Sequence, residues 1–152
     1  MARKNQDRKV KAPVKTSIET ATEGGLRELK AAAILMQEGF SVFTPVINMN
    51  YRYDLIAEKN NKFYRIQVKS LSLQFEKNPE YSTSCDQYII HAYTTPRGKK
   101  RTYSKEDCDF IIGIDLNNDQ YACIPIKHVP ASGNIRVSAK TKTAAYLNNI
   151  CI

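Results

Sequence analysis

The sequence predicts a mixed α/β fold. Three stretches carry that expectation: helical apolar spacing over residues 17–38, a β-hairpin over residues 53–70 and a second hairpin over residues 110–126. A chain of 152 residues is of single-domain length and can bury a substantial core. The organisation expected is a basic flexible arm over residues 1–16 followed by one domain over residues 17–152.

The arm carries Arg3, Lys4, Arg8, Lys9, Lys11 and Lys15 against one acid, Asp7, and almost no large apolar side chain. Such a segment lacks the surface to fold by itself, and reads as a strap across phosphates or as a solvated tail. Ser17 stands where an N-cap belongs. Leu29, Ala32, Ala33 and Met36 follow helical spacing, with Gly39 as a glycine stop. Gly24-Gly25 interrupts this stretch, which implies either a break or a close approach to its backbone. Residues 40–46 (FSVFTPV) alternate as a strand, and Pro45 puts it near a sheet edge.

In the first hairpin, the runs 53–57 and 63–68 flank a polar turn centred on Asn60-Asn61, residues that tolerate positive φ. If those two asparagines are the loop, Asp54 faces Gln67 and Ile56 faces Arg65. Lys69 then shares a sheet face with Gln67, while Ile66 and Val68 point to the other side. Residues 71–86 are polar and read as a long excursion. Residues 87–94 (QYIIHAYT) are strand-like, and residues 96–100 (PRGKK) form a positively charged turn. Residues 103–109 suggest one helical turn introduced by Ser104. Residues 110–115 and 120–126, joined by Leu-Asn-Asn-Asp, make the second hairpin. The polar tail, residues 130–152, holds a short helix over 141–147.

The net charge of +8, with a pI near 9.3, favours a polyanionic partner, above all nucleic acid. No run approaches the ~18 apolar residues of a membrane helix, and the first 15 residues lack the apolar centre of a signal peptide. Cys85, Cys108, Cys123 and Cys151 lack metal-ligand spacing, which argues against zinc and for reduced thiols in the cytoplasm. His91 and His128 have no triad partner and read as structural.

Hydrolysis of a phosphodiester with a divalent cation needs oxygen ligands, a cationic group near the nucleophile or the developing charge, and a grip on the backbone. Asp54 supplies an anionic ligand, Gln67 an amide oxygen and Val68 a main-chain carbonyl. Lys69 is placed to orient water or stabilise charge, and Glu28 on the helix could reach the metal through a water. From geometry alone, an Asp and a Lys on one sheet face also fit an ordinary exposed cross-strand pair.

Tyr53-Asp54-Leu55 followed by Phe63-Tyr64-Arg65-Ile66-Gln67-Val68-Lys69 resembles the PD-(D/E)XK nuclease superfamily, and within it the homing endonucleases associated with group I introns. Gly25-Leu26-Arg27-Glu28-Leu29, Gly39-Phe40, Val42 and Pro45 are similar to that branch's opening helix and first strand. Tyr103, Asp109-Phe110 and Tyr121 with Ile124-Pro125-Ile126 look like its closing segments. The resemblance covers roughly residues 24–128 and implies a restriction-endonuclease-like core, a mixed central sheet flanked by helices, that cuts double-stranded DNA with Mg²⁺ (Mn²⁺ as substitute). By position, Asp54 is the central metal ligand, Gln67 takes the D/E place, Lys69 is the motif lysine and Glu28 the helix carboxylate, with Glu23 a lesser substitute. Gln67 departs from the commonest pattern by being uncharged, which puts a two-metal scheme in doubt.

The function expected is site-specific cleavage of duplex DNA of the intron-homing type. A Holliday-junction or structure-selective nuclease, and a DNA-binding module without catalysis, are the alternatives. Cutting both strands with one site per chain calls for a homo-oligomer, a dimer at least and a tetramer within reach. Arg52, Arg97, Lys99, Lys100 and Arg101, with Lys9 and Lys11 of the arm and Tyr51 beside Arg52, are the expected DNA contacts. No membrane partner is expected, and the cytoplasm, on the nucleoid when DNA is bound, is the expected location.

Overall fold

The computed structural model describes residues 14–46, 51–75 and 86–152. Lys9, Lys11 and most of the basic arm lie outside these residues, as do Cys85 and much of the 71–86 excursion. The chain opens with a helix, α1 (Ser17–Gln37), followed by the edge strand β1 (Ser41–Phe43). The first hairpin is β2 (Leu55–Lys59) and β3 (Lys62–Ser70). Four further strands come next: β4 (Ser72–Phe75), β5 (Asp86–His91), β6 (Tyr93–Thr94) and β7 (Arg101–Thr102). The second hairpin is β8 (Phe110–Asp115) and β9 (Gln120–Pro125), and β10 (Asn134–Val137) ends the strands.

These strands make a five-stranded sheet of order β1-β2-β3-β8-β9, a three-stranded sheet β10-β5-β4 and the small ribbon β6-β7. The large sheet is mixed: β3 and β8 run parallel and its other pairs are antiparallel. Its two faces bury two separate cores. Ala31 and Leu35 of α1 pack with Leu55, Ala57, Ile66, Val68, Ile112 and Ile114 on one face. On the other, Ile111, Ala122 and Ile124 meet Ile90, Ile135 and Val137 of the three-stranded sheet. Among the described residues, then, the helical flank is α1 and the opposite flank is a β-sheet. The two sheets approach closely at Gly113, where a Cβ would stand 2.5 Å from Ile90 Cδ1. No helix among the described residues is long and apolar enough to cross a membrane.

Thr16, not Ser17, caps α1. Its hydroxyl accepts from Glu19 N, and the Glu19 carboxylate accepts from Thr16 N, closing a capping box. Gly24-Gly25 does not break the helix, and nothing lies within 4 Å of a Cβ built at either. Gly39 ends it with φ +82°, its N–H bonded to the Met36 carbonyl while Phe40 N reaches back to Leu35. The buried stripe is also rotated from the expected one. Leu29 and Met36 are 70% and 63% exposed, and the small Ala31 with Leu35 faces the sheet instead, because close packing on a sheet favours a short side chain.

The β2–β3 hairpin has the expected register, with Ile56 opposite Arg65 and Lys59 opposite Lys62. Asn60 and Asn61 both take positive φ, 56° and 61°, as a type I′ turn requires. The 40–46 strand shortens to three residues but is an edge strand as Pro45 implied. The 71–86 excursion contains the strand β4, which hydrogen bonds to β5. Residues 87–94 divide at Ala92, whose backbone leaves β5 to pair with Gly133 and Tyr103. In the tail, the expected helix is a 3-10 turn over Lys142–Tyr146, preceded by the unforeseen β10.

Candidate active site

Asp54 stands just ahead of β2, beyond the last paired residues Leu55 and Ile66, and its N–H donates to the Ile66 carbonyl at 2.8 Å. Its Oδ2 accepts from Val68 N at 2.7 Å and from Gln67 Nε2 at 2.5 Å. Gln67 is buried, 6% exposed, and the same Nε2 lies 3.3 Å from the Val68 carbonyl oxygen. Asp54, the Gln67 amide and the Val68 carbonyl therefore meet at one point. Lys69, two residues along β3 and on the Gln67 face, carries its Nζ 4.8 Å from the centre of the Tyr103 ring.

Glu28 approaches from α1. It lies three and seven residues before Ala31 and Leu35, on the helix stripe that turns toward the sheet, and is itself exposed. Glu28 and Asp54 line one cavity of about 120 Å³ with Thr44, Pro45, Tyr51 and Tyr53. Glu23 is directed elsewhere, to ion pairs with Lys15 and Arg27.

The electrostatics of these groups are linked. Burial pushes the Asp54 carboxyl up, and the Val68 N–H, the Lys69 charge and the Gln67 amide only partly oppose it. Glu28 is also raised, first by burial and then by the charge of Asp54. Burial pushes the Lys69 ammonium down, against the pull of Asp54. Two carboxylates whose charges the site disfavours would both gain from a nearby cation.

The donor set fits a hard divalent ion: carboxylate, amide and main-chain oxygens with no thiolate or imidazole. Gln67 would present Oε1 by turning its amide over, since Nε2 now faces Asp54. Among the described residues, no three His, Cys, Asp or Glu side chains cluster as a metal-binding group. Any ion held here would therefore rely on the Gln67 amide and the Val68 carbonyl beside the carboxylates.

The other expected residues divide into two groups. Arg52 and Arg101 come together on the carboxylate of Asp107, Oδ1 of which lies 3.3 Å from Arg52 Nε and 3.0 Å from Arg101 Nη2. Arg97, Lys99 and Lys100 lie on the exposed turn after β6, with Lys100 Nζ 4.0 Å over the Tyr93 ring. His91 bonds Asn134 and His128 bonds Tyr146, both away from Asp54.

Two features of the site escape a sequence reading. One is the Tyr103 ring beneath Lys69, together with Asp107 beyond it. The other is Arg65, which grips both oxygens of Asp109 at 2.8–3.2 Å and the carbonyls of Lys105 and Glu106 at 2.7 and 2.9 Å. Burial would raise Asp109, but the Arg65 hydrogen bonds outweigh it and hold the carboxyl below its usual range. Arg65 thus fixes the turn carrying Asp107 against β3. The signal was the pair Arg65 and Asp109, which nothing local in the sequence joins.

Comparison with known proteins bears on the family and the fold. No curated protein matches the chain significantly. Among solved structures, the bacterial homing endonuclease I-Ssp6803I is similar in fold with a TM-score of 0.63, at 18% identity, over 84% of this chain and 88% of that one. A model of the PD-(D/E)XK endonuclease family matches residues 18–149, a span that takes in all ten strands and nearly all of α1. The chain belongs to the PD-(D/E)XK endonuclease family, and it is a nuclease.

Proposed function

We propose that this nuclease is a site-specific double-stranded DNA endonuclease of the intron-homing type, working with Mg²⁺ or Mn²⁺. The observation that supports it is the meeting of Asp54, the Gln67 amide and the Val68 carbonyl, with Lys69 on one side and Glu28 across the cavity. Asp54, Gln67 and the Val68 carbonyl would hold the ion, and Glu28 would reach it directly or through a water. When bound, it would polarise a phosphate oxygen and lower the pKa of a coordinated water. With glutamine in place of an acid, one firmly held ion is expected and at most a weak second.

The chain's own groups do the remaining work. Lys69 is half-buried, and its N–H donors can hold a water or the developing negative charge in a low-dielectric setting, where such contacts are strongest. Tyr103 keeps that ammonium from swinging outward. Arg52, Arg97, Lys99, Lys100 and Arg101 are the proposed grip on the DNA backbone, with Lys9 and Lys11 of the arm adding to it. The proposed organisation is one nuclease domain over residues 17–152 behind that arm. One such site per chain means that a double-strand cut needs a homo-oligomer, at least a dimer, acting in the cytoplasm on nucleoid DNA.

The test is Mg²⁺-dependent cleavage of a genomic library, mapped by end sequencing, with four-way junctions in parallel. Cuts at one sequence in wild type, and DNA binding without cutting in Lys69→Ala, are expected. Full activity in Asp54→Ala would remove the proposed centre, and preferential cutting of junctions would replace the homing reading with a structure-selective one.

A further inference from the structure

Asp107 is the most buried carboxylate beside the site, its side chain 2% exposed, and it serves two guanidinium groups at once. Its Oδ2 is occupied by Ser104, whose N–H and Oγ donate at 3.0 and 3.3 Å, so the carboxylate cannot turn away. Oδ1 takes Arg52 through Nε and Arg101 through Nη2. The two arginines are 45% and 39% exposed, and each has further N–H groups besides the one on the shared carboxylate. One of these, Arg101 Nη1, is buried and has no hydrogen-bond partner among the described residues. A buried guanidinium nitrogen without an acceptor carries a desolvation penalty that an incoming oxyanion would relieve.

The placement of the cluster is as specific as its chemistry. Arg52 lies two residues before Asp54, and Arg101 two before Tyr103, whose ring carries Lys69. Two residues of chain span at most about 7 Å, so both arginines stand next to the proposed reacting centre. Two guanidinium charges less one carboxylate leave a net charge of +1, which is the complement of a single phosphodiester. Planar guanidinium forks suit a phosphate's paired oxygens, and Asp107 fixes both before the ligand arrives.

We propose that Arg52 and Arg101, held by Asp107, form a clamp for one phosphodiester of the DNA strand, the phosphate neighbouring the scissile one. This rests on the nuclease reading for its ligand but not on cleavage for its test. Asp107 is a positioning residue, acting through the two arginines.

The experiment is a salt titration of binding to a labelled DNA duplex, followed by fluorescence anisotropy in chelator so that nothing is cut. Full-length wild type is compared with Arg52→Gln, Arg101→Gln, the double variant and Asp107→Asn, with thermal melts confirming the fold. Each single arginine variant is expected to lose about tenfold in affinity, as for one charge-assisted contact. The double variant should lose little more than either single, with its log–log salt slope falling by about 0.9, the value for one phosphate. Asp107→Asn adds positive charge, yet it should weaken binding because the guanidinium groups lose their shared anchor.

A slope falling by about twice that amount, with additive losses, would mean two separate phosphates and overturn the clamp. So would tighter binding by a well-folded Asp107→Asn, the outcome of a simple charge effect. If the variants keep wild-type slopes while the protein still cuts DNA, the clamp fails and the nuclease reading stands. If slopes change as expected but no substrate is ever cut, the clamp stands without the catalytic assignment.

Discussion

Replacing Gln67 with glutamate should make the metal-free protein less stable. In the present structure Gln67 Nε2 donates to Asp54 Oδ2 at 2.5 Å from a position 6% exposed. A glutamate there turns a donor into a second anion against a carboxylate that burial already disfavours. The lost hydrogen bond to a charged partner is worth about 1.5–3 kcal/mol. Two unit charges at 4 Å repel by about 4 kcal/mol at an effective dielectric constant of 20. Protonation sets the ceiling: neutralising a glutamate of ordinary pKa near 4.3 at pH 7 costs about 3.7 kcal/mol, at 1.36 per pH unit. The expected destabilisation at pH 7 without metal is therefore about 2–4 kcal/mol, or roughly 5–15 °C in Tm for a chain of this size. The introduced carboxyl would have its folded-state pKa raised above the unfolded value, so its stability contribution is lost as pH rises through the folded pKa and regained on acidification. At pH 5 the protonation cost falls to about 1 kcal/mol and most of the loss should vanish. Thermal melts at pH 5 and 7, in chelator and in millimolar Mg²⁺, read this directly, and Mg²⁺ should raise the variant's Tm more than wild type's. A variant melting within about a degree of wild type at both pH values in chelator would refute the Gln67–Asp54 contact. Unchanged calorimetric Mg²⁺ stoichiometry would refute the link between Gln67 and the number of ions held.

Three other outcomes are expected. Asp54→Asn should abolish cutting while raising Tm at pH 7 by about 2–4 °C, within the usual range for relieving a strained site. The wild-type pKa is raised, so this advantage should shrink as pH falls through the carboxylate range, and a variant that melts lower at pH 7 would contradict it. Gly24→Ala with Gly25→Ala removes two flexible residues where a Cβ meets nothing within 4 Å, and should stabilise by about 1–2 kcal/mol in urea unfolding. If stability rises but DNA binding falls, the bare backbone there serves the ligand. Gly113→Ala drives a methyl to 2.5 Å and 2.8 Å from Ile90 side-chain carbons and 3.3 Å from Leu71 Cβ, and should cost about 1–3 kcal/mol, seen as a lower urea midpoint. A neutral result would show that the two sheets can part at that point.

What the sequence made legible was what neighbouring residues decide. Asn60-Asn61 specify their own turn, the turn sets the register, and the register brings Asp54 to Gln67. Glu28 was singled out by the family resemblance, since helical spacing by itself leaves it an ordinary surface carboxylate. The buried helix face was misjudged because α1 offers two stripes, and the bulkier one, with Leu29 and Met36, is the one left outside. β4 and β10 are four-residue strands within polar stretches, too short for alternation to stand out. Asp107 was invisible for a different reason. Its arginines lie 55 and 6 residues away in sequence, and only the packing of the Ser104 turn against β3 through Arg65 brings all three together.

The parallel pairing of β3 with β8 separates the site by the order in which it can assemble. The β2–β3 hairpin closes a two-residue loop, whereas joining Ile66 to Phe110 closes one of about 40 residues, at an entropic cost of roughly 3 kcal/mol. Local pairings form early and distant ones late. Asp54, Gln67 and Lys69 can thus take their mutual places in a hairpin that needs nothing downstream. The Tyr103 ring and the Asp107 carboxylate arrive only when the long crossover closes. A molecule that opens at this seam keeps Asp54, Gln67 and Lys69 aligned but loses the ring under its lysine and the anchor between its arginines. Breathing there would part the two halves of the proposed centre while leaving the proposed ion site assembled.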